Sequence, residues 1–410
     1  MKQRIPLEQL SVGMRVIGLD RSWLDTPFFR HRFTITKSDQ IQQLKASGVR
    51  FVEVEGVGRA PEEDFTTEDV DILLDARHPA APDGPPVEPP ISRLGPTSFQ
   101  EELNVAREVY REAKKVVQDC FADVRIGVGL KTQAIDKVVS RLADSVLRNV
   151  AAAASLSRLK DTDQSAFNHS VNTSVLALAL GVSLKIDGDD LHALGVGALL
   201  HDIGQVMVPP EVMNKPGRYE PHEYELVKQH PVHGSDLLSK THGLSQKVVL
   251  PALEHHERVD GSGYPYQRKG AEVSLVGQIV GIADVYDTIT TDHPYQKASS
   301  SHRALQSLYS LARKGTLDQA LVERFIRCVG VYPVGSCVRL NSGEIGVVTG
   351  NQYDNPLAPR VMLVRDTQGL PIGNPYEVDL AAEERTHLKV TAVIDPLTIG
   401  VIPDHYLVGC

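Results

Sequence analysis

Apolar and polar positions change period along the chain, and the changes mark out its parts. Between residues 99 and 330 the period is helical. Leu103, Ala106, Tyr110, Ala113, Val117 and Cys120 recur at alternating spacings of three and four, the pattern of an apolar seam along one helix. A second amphipathic helix carries Ile135, Val139, Leu142 and Val146. Two later stretches, LHALGVGALLHDIG at 191–204 and SLVGQIVGIADVYDTIT at 274–290, are apolar on nearly every face, as helices inside a domain are. The first is predicted to end near Gly204, and the second to begin at Ser274, an N-cap residue. From about Val331 the period shortens. VGSCVRLNSGEIGVVTG and RVMLVRDTQG predict short strands joined by Asn-Ser-Gly and Gln-Gly turns. The N-terminal stretch RIPLEQLSVGMRVIGLDRSWLDTPFF also alternates over short runs, with a helix predicted near Ser38 to Ala46.

Residues 79–96 hold seven of the 25 prolines, the composition of an extended linker. The predicted organisation is therefore multidomain: a small, mixed but mostly β N-terminal domain at 1–78, a Pro-rich linker at 79–98, an all-α domain at 99–330, and a β-rich appendage at 331–410. A length of 410 residues, 41% of them hydrophobic, is enough to bury substantial cores. Trp23, Pro27 and Phe28 offer the N-terminal domain either a ligand surface or, as is usual in small domains, part of its core.

Charge and cysteine usage narrow the partners. A net charge of −9 with no basic stripe argues against a nucleic-acid polymer. Cys120, Cys328, Cys337 and Cys410 are too widely separated for a zinc motif and fit a reducing cytosol. MKQRIPLEQL lacks the apolar core of a signal peptide, and the run from Val175 to Val182 is far short of the ~20 residues of a membrane span. A cytoplasmic location is expected.

Nine of the 15 histidines lie between His169 and His256. His192, His222 and His242 sit beside polar residues and suit solvated positions. His201 and Asp202 instead enter apolar sequence together. Adjacent helical side chains point about 100° apart, so this pair suits two ions on either side of a helix end, with the carboxylate between them. Asp284 lies in the middle of an all-apolar helix, where an anion needs a partner: a metal, an arginine or backbone donors. His169, just ahead of the run SVLALALGVSL, is either a ligand or a structural histidine. Imidazole and carboxylate together suit divalent first-row metals.

These residues fall into motifs. HDIG at 201–204, QHPVHG at 229–234, HHERVDGSGYP at 255–265 and IADVYDTITTDHPYQKA at 282–298 occur in the order of the HD-GYP domain, a branch of the HD phosphohydrolase superfamily, which the chain resembles over about residues 130–330. The resemblance implies an all-α HD-type catalytic domain holding two or three metals, commonly iron or manganese, that hydrolyses cyclic di-GMP to pGpG and perhaps onward to GMP. Carried over by position, the ligands are His169, His201, Asp202, His230, His255, His256 and Asp284. Asp202 would bridge, with His169, His201 and Asp284 on one ion and His230, His255 and His256 on the other. His233 would be a neighbour. Two cations ~3.5–4 Å apart could activate a shared water and neutralise phosphoryl charge. Gly261, Gly263, Tyr264 and Pro265 would shape the pocket edge, with Tyr264 meeting guanine or phosphate; an ordinary turn is the alternative for this loop. The N-terminal region resembles a domain of unknown function often found ahead of HD-GYP domains, here in a sensory or regulatory position.

The chain departs from the family pattern at three places. The lysine that usually follows HDIG, which reaches a phosphate or the attacking hydroxide, is Gln205, leaving a neutral residue beside the catalytic Asp202. Two phosphate-directed arginines become His293 and Gln296, with Lys297 a partial replacement. Ser165 stands where trinuclear members have glutamate, so two divalent ions are expected, iron or manganese first, with nickel or zinc also acceptable to such ligands. The rival readings are a weakly active cyclic di-GMP-binding adaptor and a hydrolase of another cyclic dinucleotide. The two helices between Phe99 and Val150 could join two protomers in a homodimer or pack within one chain, and signalling proteins are further candidate partners.

Overall fold

A computed structural model describes residues 2–7, 10, 15–19, 33–35, 41, 44–45, 49, 51–55, 97, 99–155, 166–213, 215, 217, 219–291, 298–351, 355–385 and 387–407. The Pro-rich stretch, Trp23, Pro27, Phe28, Ser165, His293, Gln296, Lys297 and Cys410 lie outside the described residues. The chain divides into two compact units, Met1–Asp64 and Phe65–Cys410.

In the first unit, β1 (Lys2–Pro6), β2 (Arg15–Leu19), β3 (Phe33–Thr34) and β4 (Phe51–Glu55) form an antiparallel sheet in the order β1-β4-β2-β3. Its core contains Leu7, Leu10, Val16, Ile35, Leu44, Val49 and Val52. Ile41, Leu44 and Lys45 are helical, within the span where a helix is predicted.

The second unit begins with α1 (Phe99–Arg125), α2 (Thr132–Arg148) and α3 (Val150–Ser155), followed by α4 (Ala166–Ser183) and α5 (Gly188–Leu199). After α5 come a 3-10 helix at Ile203–Met207, the short α6 (Pro210–Met213) and α7 (Pro221–Val227), then α8 (His230–Ser239) and α9 (Val249–Glu254). The helical part closes with α10 (Leu275–Thr290), α11 (Ser301–Arg313) and α12 (Gln319–Val329). The helices without a polar face lie innermost: every residue of α4 from Ser170 to Ser183 is buried, and α5 and α10 pack against it. Ser274 caps α10 as predicted, its hydroxyl accepting from the Gly277 N–H.

The seam on α1 is used inside the chain. Leu103, Ala106, Ala113, Val117 and Cys120 are buried, with Val109 rather than half-buried Tyr110 completing the stripe, and α1 packs against α2 and α4. On α2, Ile135, Val139, Leu142 and Val146 are buried, as their spacing predicts. Buried Glu102 in the first turn of α1 accepts from Arg148 Nε at 2.6 Å, Arg148 Nη2 at 2.9 Å and Ser145 Oγ at 2.6 Å. This charge-assisted pair, with both carboxylate oxygens engaged, fixes the start of α1 to the end of α2. Of the two readings of these helices, packing within the chain is the one observed.

The C-terminal strands, β5 (Cys337–Leu340), β6 (Ile345–Gly350), β7 (Arg360–Arg365), β8 (Pro371–Asp379) and β9 (Val390–Ile394), form one antiparallel sheet in the order β8-β7-β6-β5-β9. The short α13 (Asp404–Leu407) follows them. Val338, Leu340, Val348, Val361 and Leu363 belong to the same core as the helices, so the sheet is packed on the helical body. Among the described residues no helix is long and apolar enough to cross a membrane.

Two glycines set the spacing around the end of α5. A Cβ on Gly204 would stand 2.0 Å from the His230 carbonyl oxygen and 2.4 Å from the Gly234 nitrogen, so the 3-10 helix and α8 touch backbone to backbone. A Cβ on Gly281 would lie 2.6 Å from the His255 carbonyl oxygen, which brings α10 equally close to the end of α9. Because the clashing atoms at Gly204 are backbone, no side-chain rotation can relieve them. Gly204→Ala is expected to cost about 3 kcal/mol or more, at or beyond the upper end of ordinary overpacking. A urea unfolding midpoint equal to that of the unsubstituted protein would contradict this account.

Candidate metal centre

Five separate elements deliver the seven proposed ligands. His169 lies in the first turn of α4, His201 and Asp202 in the turn after α5, His230 at the start of α8, His255 and His256 at the end of α9, and Asp284 in the middle of α10. Helix α5 ends at Leu199, short of the predicted Gly204. The cause is local: His201 Nδ1 donates to the Ala198 carbonyl at 2.8 Å, so the ring satisfies a helix-end acceptor. His230 does the same to Val227 at 2.7 Å, and His255 to Ala252 at 2.9 Å.

These bonds decide the tautomers. A carbonyl only accepts, so each Nδ1 carries a hydrogen and Nε2 is the nitrogen each ring turns inward. Those nitrogens converge. His230 Nε2 and His255 Nε2 stand 3.2 Å apart, and Asp202 Oδ1 lies 3.2 Å from the first and 3.8 Å from the second. The other oxygen, Asp202 Oδ2, faces His201 Nε2 at 3.5 Å and His169 Nε2 at 4.0 Å. Asp284 Oδ1 is 3.1 Å from His169 Nε2, and its Oδ2 is 3.8 Å from His256 Nδ1. Two sets result, each with ligand atoms within 4.8 Å of one another: Asp202, His230, His255 and His256, and His169, His201 and Asp284. The two oxygens of Asp202 point one to each set.

Burial and mutual charge set the protonation states. Burial pushes His255 and His256 well below the ordinary imidazole pKa, and neighbouring imidazoles add to it, so both rings are neutral. For Asp202, burial favours protonation, but His201, His230 and His255 outweigh it and hold the carboxyl well below its usual range. Asp284 is lowered to about 2, again against burial, by its hydrogen bond with His169. Burial also opposes charge on His169, yet Asp284 and Asp287 raise it well above the ordinary value.

The GYP loop covers one side. Gly261 has a left-handed φ of 82°, and a Cβ on Gly263 would lie 2.4 Å from the His256 carbonyl oxygen, so the loop is folded tightly on the ligand segment. Tyr264 stacks on the His256 ring, with centroids 4.5 Å apart and planes 29° from parallel, and Pro265 beside it is half-buried. Burial raises the Tyr264 phenol pKa, keeping it neutral. Gln205 is half-buried on the 3-10 helix following Asp202. His233, one turn beyond His230 on α8, belongs to neither set. His222 and His242 are exposed, and His192 is half-buried with Nε2 3.8 Å from Asp136.

Several supporting residues escaped the sequence reading. Asp287 accepts from His169 Nδ1 at 2.7 Å and from Asn172 Nδ2 at 2.8 Å. Its signal was available, as a second carboxylate three residues after Asp284 on an apolar helix. Glu257 is buried and accepts from the backbone N–H groups of Tyr266 at 2.7 Å and Arg268 at 3.0 Å, pinning the end of the GYP loop. Glu254, equally buried, pairs with Arg268 and accepts from the Ser274 N–H at 2.8 Å. In sequence these two glutamates look like any surface acid.

Comparison with known proteins identifies the parts of the chain. The HD domain family matches residues 147–321, which span all seven clustered side chains. A domain of unknown function matches residues 2–135, and a KOW domain associated with HD domain matches 337–399. The chain is 35% identical over 366 residues to the cyclic di-GMP phosphodiesterase PA4108 of Pseudomonas aeruginosa, covering 88% of this chain and 84% of that protein. It is 30% identical over 238 residues to the cyclic di-GMP phosphodiesterase PdeB of Borreliella burgdorferi, covering 58% of this chain and 62% of that protein. It is also 33% identical over 165 residues to the 3'3'-cGAMP-specific phosphodiesterase 1 of Vibrio cholerae, covering 40% and 38%. With the HDIG and GYP segments folded around one cluster and similarity running along most of a relative's length, the chain belongs to the HD-GYP family of HD domain proteins.

Proposed function

We propose that this protein is a metal-dependent phosphodiesterase that hydrolyses cyclic di-GMP to pGpG or GMP. The observation that carries the metal requirement is the pair of imidazole nitrogens His230 Nε2 and His255 Nε2, 3.2 Å apart beside Asp202 Oδ1. With both Nδ1 atoms committed to carbonyls, two Nε2 atoms and a carboxylate oxygen face one another at distances suited to a shared cation. His201 Nε2, buried with no hydrogen-bond partner among the described residues, is a further candidate ligand atom of the same kind. The residues therefore fit a pair of divalent ions: His230, His255 and His256 for one, His169, His201 and Asp284 for the other, with Asp202 between. Iron or manganese suits this nitrogen and oxygen set, and nickel or zinc is accepted by the same chemistry.

Bound divalent ions supply water activation and neutralisation of phosphoryl charge. The protein's part is positioning. The carbonyl bonds of His201, His230 and His255 fix the rings before anything binds, so no reorganisation is needed on loading. Tyr264, neutral and held against His256, offers an aromatic face to a guanine and a hydroxyl to a phosphate. Gln205 can hydrogen-bond to a phosphate oxygen and cannot neutralise it. Cys120, Cys328 and Cys337, buried and outside any disulfide among the described residues, suit a reducing cytoplasmic setting, and a small anionic dinucleotide, not a nucleic-acid polymer, fits the charge balance.

A second reading, a hydrolase of another cyclic dinucleotide, is favoured by Gln205 and by the similarity to a 3'3'-cGAMP-specific enzyme. Incubating manganese- or iron-loaded protein with cyclic di-GMP and with 3'3'-cGAMP, and separating products by chromatography, distinguishes the two. Linear product from cyclic di-GMP at the faster rate is expected. Turnover of neither compound would leave a binding protein.

Metal analysis after anaerobic loading should return about two ions per chain. Asp202→Ala should abolish hydrolysis and lower occupancy of both sites, because that carboxylate faces both sets. Wild-type turnover by Asp202→Ala protein would overturn the assignment. Gln205→Lys adds the charge missing from the phosphate side. One charge-assisted hydrogen bond is worth about 1.5–3 kcal/mol at most, so kcat/KM for cyclic di-GMP should rise, by no more than roughly ten- to a hundredfold. A fall in kcat/KM would show instead that the pocket is built around glutamine and its preferred substrate differs.

A further inference from the structure

Helix α1 contributes no ligand to the cluster, yet it reaches the cluster through three hydrogen bonds in series. Tyr110 Oη donates to Asn172 Oδ1 at 2.7 Å, Asn172 Nδ2 donates to Asp287 Oδ1 at 2.8 Å, and His169 Nδ1 donates to Asp287 Oδ2 at 2.7 Å. The polarity of this chain is fixed by what each group can do. The Asp287 carboxylate only accepts, so Asn172 must turn its amide N–H groups toward it and its oxygen toward Tyr110. Tyr110 must then donate. Asn172 and Asp287 are buried, at 4% and 1% exposure, so the loss of any one bond is not made good by solvent. The hydroxyl also lies 3.4 Å from the Asn168 carbonyl, a longer contact in the same turn of α4.

The contact between α1 and the first turn of α4 is not limited to this bond. Phe121 packs edge-on against Phe167, with ring centroids 5.5 Å apart, two residues before His169. The domain of unknown function that matches the N-terminal region runs to residue 135, so by sequence α1 belongs with that region although it packs among the helices.

We propose that Tyr110 is a positioning residue of the metal centre: through Asn172 and Asp287 its hydroxyl holds the His169 ring toward Asp284 and Asp202, coupling α1 to the metal affinity of the set formed by His169, His201 and Asp284. The inference rests on the metal-centre reading given above. Imidazole orientation is what such outer hydrogen bonds control, and a shift of α1 along or away from α4 lengthens the first bond of the series before it disturbs any ligand.

The test uses the full chain, the Tyr110→Phe and Asp287→Asn proteins and the double variant, with manganese alone as the probe. Manganese affinity is read by competition with a chelating dye, and the melting temperature of the metal-free protein is recorded in parallel. Tyr110→Phe should weaken the looser manganese step by roughly three- to tenfold, the loss of one hydrogen bond. Asp287→Asn should weaken it by roughly ten- to a hundredfold. In the double variant Tyr110→Phe should add nothing, because the relay is already broken downstream. Asn172→Ser provides the same background if Asp287→Asn does not fold. An unchanged manganese affinity in Tyr110→Phe, whatever its melting temperature, overturns the proposal, as does an equal loss in both backgrounds. An unsubstituted protein that takes up no manganese or iron refutes the metal centre itself, a result distinguishable from failure of the relay alone.

Discussion

Asp202 carries a negative charge into a place where four imidazole rings converge, and the surrounding helices are arranged to meet that charge from several sides. A carboxylate so nearly enclosed costs several kcal/mol unless it is matched. Its partners come from α4, from α8, from the end of α9 and from the adjacent His201, so they can meet it only if these elements approach closely. Gly204 against His230 and Gly281 against His255 supply that approach. The apolar faces of α4, α5 and α10 then serve a second purpose beyond stability: by excluding water they hold His255 and His256 in the neutral form a metal ligand requires.

What the sequence made legible follows from which forces are local. The helical seam on α1, the all-apolar α10 with Ser274 at its start, and the strands around the Asn-Ser-Gly and Gln-Gly turns are set by period and by turn chemistry, and they appear as read except that Val109 replaces Tyr110 in the seam. The end of α5 was misplaced because the His201 side chain, not a glycine, takes the helix-end carbonyl. Whether α1 packs in the chain or between chains has no local signature. Its decisive contact, Glu102 with Arg148, joins residues 46 positions apart. The seven proposed ligands were found because they stand out as polar residues in apolar or glycine-rich motifs. Asn172, Glu254 and Glu257 do not stand out, since their role is visible only once the chain has folded a backbone donor or a carboxylate against them.

The supporting hydrogen bonds divide into two kinds with different consequences. His201, His230 and His255 each bond a carbonyl three residues earlier, so their orientation is fixed by their own backbone and moves only if that turn moves. His169 is held differently, by the Asp287 carboxylate on α10, which is itself oriented from α4 and α1. Three of the rings are thus locally determined, and the orientation of His169 depends on the relative setting of three helices. An influence that reaches the centre through α1 would act first on His169.

Holding metal and reading substrate also separate in this chain. The proposed ligands gather around Asp202, and carbonyls and Asp287 hydrogen-bond to their outer nitrogens. Of the departures from the family pattern, Ser165 bears on a third ion, while Gln205, His293 and Gln296 stand at positions that would face a phosphate. Coordination tolerates little change, because a lost ligand leaves buried charge unmatched, with a penalty of several kcal/mol. A substrate contact lies at the solvent edge, where exchanging lysine for glutamine removes a charge and keeps a hydrogen bond. The energetic asymmetry explains how recognition of a dinucleotide could drift while the proposed metal centre stays intact, and it places the departures that bear on recognition at Gln205, His293 and Gln296, away from the proposed ligands.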